Sequence, residues 1–323
     1  MEIISDHAEG ISKKAAKALK DGQLVAFPTE TVYGLGADAT NKKAVSRIYS
    51  VKGRPISHPL IVHIGSQNDL IQWAIDVPDY AWELAKEFWP GPLTLILNRS
   101  SIAKDFITGN QDTIGVRVPN HPIIQSILCE FKNLGGLGVA APSANRFGAV
   151  SPTTAEAVAE ELQDFLSLKD LIIDSGLCLI GLESTILDCT TNVPQLLRPG
   201  ALSVRQIQKV IGRRIVNRCI ENENRASGSF ELHYSPKAKV VLTDKVELGD
   251  GFFAMESIPT PVGAIRLASP GTVNEFARQI YAALRAADQM ELKRIAVVPP
   301  IGGDLGDAIQ DRLKKASAQS KNR

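Results

Sequence analysis

Hydroxyls and cations suited to binding an anion gather where apolar runs of this sequence begin or end. Thr29 and Thr31 follow the run 24–27. Lys52 and Arg54 precede the run 60–64, which carries His63. Thr113 and Arg117 flank or sit within the run 114–118. Ser143 and Asn145 follow 139–141, Ser184 and Thr185 open another run, and Arg198 closes the run 195–197. Arginine is suited to carboxylate or phosphate because its planar fork donates two parallel hydrogen bonds. Each residue taken singly has a plainer reading. Thr29 and Ser143 would hydrogen-bond turns, Lys52 and Arg54 would be solvated surface charges, and Arg117 would pair with a structural carboxylate. Taken together, they suggest an anion pocket at one edge of an α/β sheet, where open sheets bind ligands.

Other chemistries lack their residues. There is no GxxxxGK[ST] loop and no HExxH, GxSxG or EF-hand pattern. Residues 34–39 satisfy a loose GxGxxA pattern. However, Pro28-Thr29-Glu30-Thr31 separates them from the preceding apolar run, and no acidic residue follows at about 20 positions. The cysteines Cys129, Cys178, Cys189 and Cys219 form no CxxC pair and are expected to be reduced and mostly buried. His58 and His63 are five apart across a strand start and do not share a face as metal ligands. His7 and His121 read as surface or cap residues. His233-Tyr234-Ser235-Pro236 would either pack a junction or fold over a site.

The elements that must position these residues alternate between strand and helix patterns. Apolar stripes mark helices around 11–19, 44–51, 78–88, 123–131 and 207–211, the last with Ser203 as its cap. Strands are expected at 24–27, 60–64, 93–97, 114–118, 139–141, 171–173, 185–187 and 195–197. From 212 to 237 the chain turns polar and reads as a linker. Strands at 240–242, 262–267 and 295–298 then alternate with helices over 272–290 and around 309–316. The fold class is therefore α/β: a mixed-sheet domain over 1–211, a linker over 212–237 and a smaller Rossmann-like α/β domain over 238–323. The 323 residues suit about two domains. The formal net charge of +1 gives no global basic field for nonspecific nucleic-acid binding. No apolar run reaches the roughly 20 residues of a membrane span, and residues 1–14 lack a signal-peptide pattern, so a cytoplasmic protein is expected.

Several ordered segments resemble the YrdC-like family of threonylcarbamoyl-AMP synthases in its long, two-domain form. They are Phe27-Pro28-Thr29-Glu30-Thr31-Val32-Tyr33-Gly34-Leu35-Gly36, Lys52-Gly53-Arg54-Pro55, Pro59-Leu60-Ile61-Val62-His63, Ala141-Pro142-Ser143-Ala144-Asn145, Glu183-Ser184-Thr185 and Arg198-Pro199-Gly200. The resemblance implies a twisted mixed-sheet catalytic domain and a nucleotidyltransferase reaction. L-threonine, bicarbonate or CO2, and ATP with Mg²⁺ would give threonylcarbamoyl-AMP and pyrophosphate. A separate complex would transfer the group to tRNA, and direct tRNA contact is allowed but not required. By the same resemblance, Thr31, His63, Arg117, Ala141 and Ser184 would contact threonine. Lys52, Arg54, His58, Thr113, Ser143, Ser151, Arg198 and Tyr234 would contact ATP, with His58 standing where the family often has Asn. No general base, other catalytic side chain or protein metal ligand is assigned. The competing readings are a YrdC-like RNA-binding module without catalysis and a carbamoyl-transfer domain of hydrogenase-maturation type. The zinc-finger-like cysteines that accompany the latter are absent from this sequence.

Overall fold

A computed structural model describes residues 1–217 and 234–318. Cys219, His233 and most of the expected linker lie outside the described residues. Among those described, eleven strands form one mixed sheet. Its order is Glu2–Ser5, Leu171–Asp174, Val25–Phe27, Gly34–Asp38, Val139–Ala140, Ile61–His63, Thr113–Arg117, Leu93–Asn98, Thr185–Asp188, Gln195–Arg198 and Val216–Asn217. The last strand pairs in parallel with Gln195–Arg198, so this sheet extends past residue 211. Residues 34–39, which mimic a dinucleotide loop, are instead strand: Gly34–Asp38 pairs antiparallel with Val25–Phe27.

Period-2 alternation divides the sheet into two faces. Val62, Leu95, Leu97, Val116, Ala140 and Leu187 point to one side and join the main core. On the opposite side, the helices Ile11–Lys20 and Pro122–Asn133 cover the part around Val25, Phe27 and Ile173. The rest of that face carries Ile61, His63, Thr94, Arg117 and Ser184, and it stays open for a cleft.

Helix ends follow capping chemistry. Asn41 accepts from the backbone of Lys43 and Ala44 to start the helix Lys42–Lys52, and Gly53 ends it in the left-handed region. Ser203 and Gln206 form a reciprocal capping box on Val204–Ile211, as expected of Ser203. The edge strand Glu2–Ser5 and the helix Ala155–Leu162 were not expected from the sequence.

The second sheet is wholly parallel, in the order Lys239–Leu242, Arg294–Val297, Gly251–Phe253 and Ile265–Ala268. The helices Val273–Gln289 and Gly306–Ala318 accompany it. The strand expected from residue 262 begins at Ile265. Val262 is fully exposed, and Gly263, at φ 88°, accepts from the Gly249 amide in a turn. The two domains are packed together. Val32, Val150 and Leu182 share a core with Tyr234, Phe276, Ala277, Ile280 and Tyr281.

Gly200 presses its backbone onto the segment 183–185. A Cβ there would lie 2.3 Å from the Thr185 nitrogen and 2.5 Å from the Glu183 carbonyl oxygen, distances no backbone atom can accommodate without moving. Gly212 has φ 60° and open space around its Cα. Gly200→Ala is therefore expected to destabilise the protein by about 2 kcal/mol or more through overpacking, and Gly212→Ala by about 1 kcal/mol through backbone strain. Thermal or urea melts of the two variants check the ranking.

Candidate active site

The loop between the first two hairpin strands is held by one hydroxyl. Thr29 Oγ1 donates to the Val32 carbonyl at 2.7 Å and accepts from the Thr31 and Val32 amides at 3.1 and 3.2 Å. This turn places Thr31 beside Arg117, which reaches it from the end of the strand Thr113–Arg117. Strand register sets Arg117 directly against His63. Ala141 follows the neighbouring strand, and its amide donates to the Ile61 carbonyl. Thr29, Thr31, Ile61, His63, Arg117, Ala141, Ser143, Glu183, Ser184, Arg198 and Tyr234 line a single cleft. Ile61 and His63 both line it while Val62 between them lies in the core. The cleft therefore crosses the sheet face, where the sequence suggested a pocket beyond its edge.

Arg117 is buried and pre-oriented. Its Nη2 forms an ion pair with Glu30 Oε1 at 2.7 Å and donates to Thr31 Oγ1 at 3.1 Å, and its Nε donates to the Gly91 carbonyl at 3.2 Å. Glu30 also accepts from the Asn120 amide at 3.0 Å. The structural-carboxylate reading of Arg117 is thus correct, and the same guanidinium lines the cleft. Its Nη1 makes no hydrogen bond among the described residues. Burial, reinforced by the adjacent Arg117 cation, pushes the His63 imidazole down to about 3, so the ring is neutral at neutral pH.

Arg198 grips Ser184. Its Nε and Nη2 donate to the Ser184 carbonyl at 3.1 and 2.9 Å, and Nη2 reaches Ser184 Oγ at 3.1 Å. Ser184 Oγ also shares a 2.8 Å hydrogen bond with Thr94. Glu183, next in chain, is the second carboxylate of the cleft. Ser151 is drawn to it, donating from Oγ at 2.6 Å. Tyr234 is fully buried at φ 65° and stacks on Tyr281, with ring centroids 5.8 Å apart. It therefore both packs the domain junction and lines the cleft.

Beyond Ser143 lies a second group of cations. Lys52 Nζ donates to the Ser143 and Asn145 carbonyls. Arg54 Nη2 donates to the Pro59 carbonyl at 2.9 Å, and its guanidinium lies 6.0 Å from the centre of the Phe147 ring. His58 meets the same ring edge-on at 5.2 Å. Lys52 and Arg54 are 2% and 5% exposed, and neither forms an ion pair with a carboxylate among the described residues. Burial, reinforced by Arg54, pulls the Lys52 ammonium well below its usual range, and burial lowers Arg54 to about 10. Thr113 stands apart. It begins the strand that Arg117 ends, about 13 Å away along the chain.

Sequence reasoning missed Glu30, Glu183, Thr94 and Phe147. Glu30 and Glu183 lie inside recognised segments, but nothing local marks their partners. Phe147 follows Asn145 by two positions, so its signal was proximity alone. Of the cysteines, Cys178 and Cys189 are buried as expected, whereas Cys129 is exposed.

Residues 17–200 match the Sua5/YciO/YrdC family, described as "Telomere recombination", and residues 202–318 match the threonylcarbamoyl-AMP synthase C-terminal domain. A threonylcarbamoyl-AMP synthase of Pyrococcus abyssi is 41% identical over 94% of this chain and 93% of its own length. A Bacillus subtilis protein of the same name is 36% identical over 94% and 92%. The crystal structure of P. abyssi Sua5 complexed with L-threonine matches with a TM-score of 0.87 and 36% identity, covering 99% of this chain and 98% of that one. The chain belongs to the Sua5/YciO/YrdC family, in the two-domain form that carries the threonylcarbamoyl-AMP synthase C-terminal domain.

Proposed function

We propose that this chain is the nucleotidyltransferase that forms threonylcarbamoyl-AMP for tRNA modification, using L-threonine, bicarbonate or CO2, and ATP. The observation that carries the reading is a contrast between the cleft and the cations just beyond its Ser143 wall. Around Arg117 the charges are already balanced by Glu30, while Lys52 and Arg54 are buried with no carboxylate at ion-pair distance among the described residues. A buried unpaired cation is costly in isolation, and a triphosphate would complete that half of the site. The relatives named as synthases align over nearly their whole lengths, which supports the enzyme over a non-catalytic RNA-binding module.

The amino-acid half suits a small zwitterion. Arg117 offers its Nη1 donors to a carboxylate, while Glu30 and Thr31 fix the plane of the guanidinium. Neutral His63, Thr31 and Ser184 offer hydrogen-bonding groups, and Ala141 keeps the wall small. The amine captures CO2, forming an N–C bond and giving up a proton. A carbamate oxygen then attacks the α-phosphorus of ATP, the bond to the bridging oxygen breaks, and pyrophosphate leaves. Both reactants are anionic, so positioning and cationic screening carry most of the catalysis. Lys52, Arg54 and Ser143 are assigned to the nucleotide, with His58 and Phe147 beside them. Arg198, Ser151 and Tyr234, which the family resemblance gives to ATP, would reach the nucleotide from the Ser184 and Glu183 side of the cleft. Thr113 is assigned to the far end of the nucleotide.

No group of three or more His, Cys, Asp or Glu among the described residues is placed to hold a metal, and Glu30 and Glu183 are engaged with arginines. Mg²⁺ is therefore assigned to the triphosphate, as part of the substrate. No described helix is long and apolar enough to cross a membrane. The product is an unstable mixed anhydride, so a transfer complex acting on tRNA would consume it.

Purified protein given ATP, Mg²⁺, L-threonine and bicarbonate is expected to release pyrophosphate, and omitting any one should abolish the release. Threonine-independent release would refute the reading. Arg117→Lys keeps the charge but loses the fork. Threonine binding should weaken by about 1–3 kcal/mol, as for hydrogen bonds to charged groups, with ATP binding little changed; calorimetric titration of each ligand separates the two. Arg54→Ala removes a buried cation without stranding a carboxylate. It should reduce ATP affinity at least roughly tenfold while leaving the melting temperature level or higher, a combination that thermal melts and ATP titration read directly.

A further inference from the structure

The segment 180–184 runs between the cleft and the C-terminal domain, and each side of it is specified. On the cleft side, the Ile180 amide donates to the Glu30 carbonyl at 2.9 Å and the Gly181 amide to the Thr31 carbonyl at 3.1 Å. Ser184 carries the Arg198 contact. On the other side, the helix Val273–Gln289 lies directly on Gly181. A Cβ at Gly181 would sit 2.5 Å from the Arg278 Cα and 2.9 Å from the Ala277 carbonyl oxygen. The Glu183 carboxylate points towards the C-terminal domain. It accepts from Tyr281 Oη at 2.8 and 3.0 Å and from Arg312 Nε at 2.7 Å. Arg312 is completely buried, and its guanidinium lies 5.0 Å from the centre of the Tyr234 ring.

We propose that Tyr281 and Arg312 of the C-terminal domain are positioning residues for the amino-acid half of the cleft, holding Glu183 so that Ser184, Thr31 and Tyr234 keep their places. Neither residue lines the cleft, so they act through others. The proposal rests on the synthase reading for its kinetic consequence, while the structural part stands on the contacts just given. Charge supports it. Burial would raise the Glu183 carboxyl, but the Arg312 and Arg198 cations and the Ser151 hydroxyl hold it down to about 2. It therefore stays ionised and keeps demanding its partners at every working pH. Lys52 and Arg54 make no hydrogen bond to this network, although Arg54 lies within electrostatic reach of Tyr234 and Arg198, so the nucleotide half feels it less directly than Ser184 and Thr31 do.

The plainer alternative is an ion pair that merely glues two domains. Tyr281→Phe separates the readings, because it removes the hydroxyl from Glu183 yet keeps the ring stacked on Tyr234. Arg312→Lys keeps a cation but loses the directional Nε donor. In the full chain, both variants should raise the KM for threonine roughly five- to tenfold, less than the roughly ten- to hundredfold of a hydrogen bond to a charged group lost at the ligand itself, because the effect is indirect. The KM for ATP should rise less than that for threonine, and the melting temperature of Tyr281→Phe should fall by only a few degrees. Amide hydrogen exchange of the ligand-free protein should accelerate across 180–185 in both variants while the remaining core keeps its protection. Equal rises in both KM values, or unchanged exchange at 180–185 with unchanged threonine kinetics, would overturn the positioning role. If the parent protein shows no threonine-dependent reaction, the synthase reading falls. Exchange then decides the proposal by itself: acceleration confined to 180–185 upholds the hold on the segment, and its absence refutes it.

Discussion

Glu183 is a carboxylate taken out of water, and much of the molecule is arranged to keep it charged. A buried carboxylate is tolerable where cations and hydrogen-bond donors replace its hydration. Here the donors come from three places in the chain: Ser151, Tyr281 and Arg312. The residues on either side inherit its position. Gly200 lies against its carbonyl, Arg198 closes on Ser184, and Leu182 enters the core shared by the two domains. The Glu183 interaction thus adds a charged link to the apolar core that the two domains share.

The cleft is electrostatically uneven, and the unevenness has a physical reading. Glu30 and Glu183 neutralise the half that would receive threonine, an overall neutral zwitterion. Lys52 and Arg54 leave the other half in deficit of negative charge, and ATP is a polyanion. A site built this way discriminates by charge before shape. On the proposed reading, a second polyanion would be disfavoured on the Arg117 side, where Glu30 already pairs with the guanidinium. On the same reading, the buried cations, which donate only to backbone carbonyls among the described residues, would gain their counter-charge from a phosphate.

Much of this was legible in sequence, for reasons that differ by residue. Thr29, Thr31, His63, Arg117, Ser143, Ser184 and Arg198 stand at the ends of strong apolar runs, and the cleft gathers all of them. What failed was face against edge. A run of four or five apolar residues does not reveal which alternate residues a helix will cover, and the helices Ile11–Lys20 and Pro122–Asn133 leave half of one face bare. Arg312 is the instructive miss. It lies three residues after Ile309 and four before Ala316, on the buried stripe of its helix, and a charged residue at stripe spacing is itself a signal. Its partner is 129 residues away, so the signal could say that a carboxylate existed but not which one. The strand Glu2–Ser5 escaped because it is a short, largely exposed edge, and the helix Ala155–Leu162 because alanine and glutamate dilute its apolar stripe.

Placing a cleft on a sheet face creates a problem that the first domain solves from one side only. Its helices lie behind the sheet or over the opposite half of the exposed face, so none of them backs the segment 180–184. That segment has a left-handed glycine at 181 and no strand pairing until Thr185. Without support it would be the loosest wall of a site whose intermediate, a carbamate and then a mixed anhydride, hydrolyses in water. The C-terminal domain supplies the missing wall from outside. Helix Val273–Gln289 presses on Gly181, Tyr281 and Arg312 hold Glu183, and Tyr234 is carried into the cleft on the Tyr281 ring. A smaller parallel sheet with no cleft residue of its own strands can therefore matter to the chemistry by backing a wall that the larger domain holds only from the cleft side.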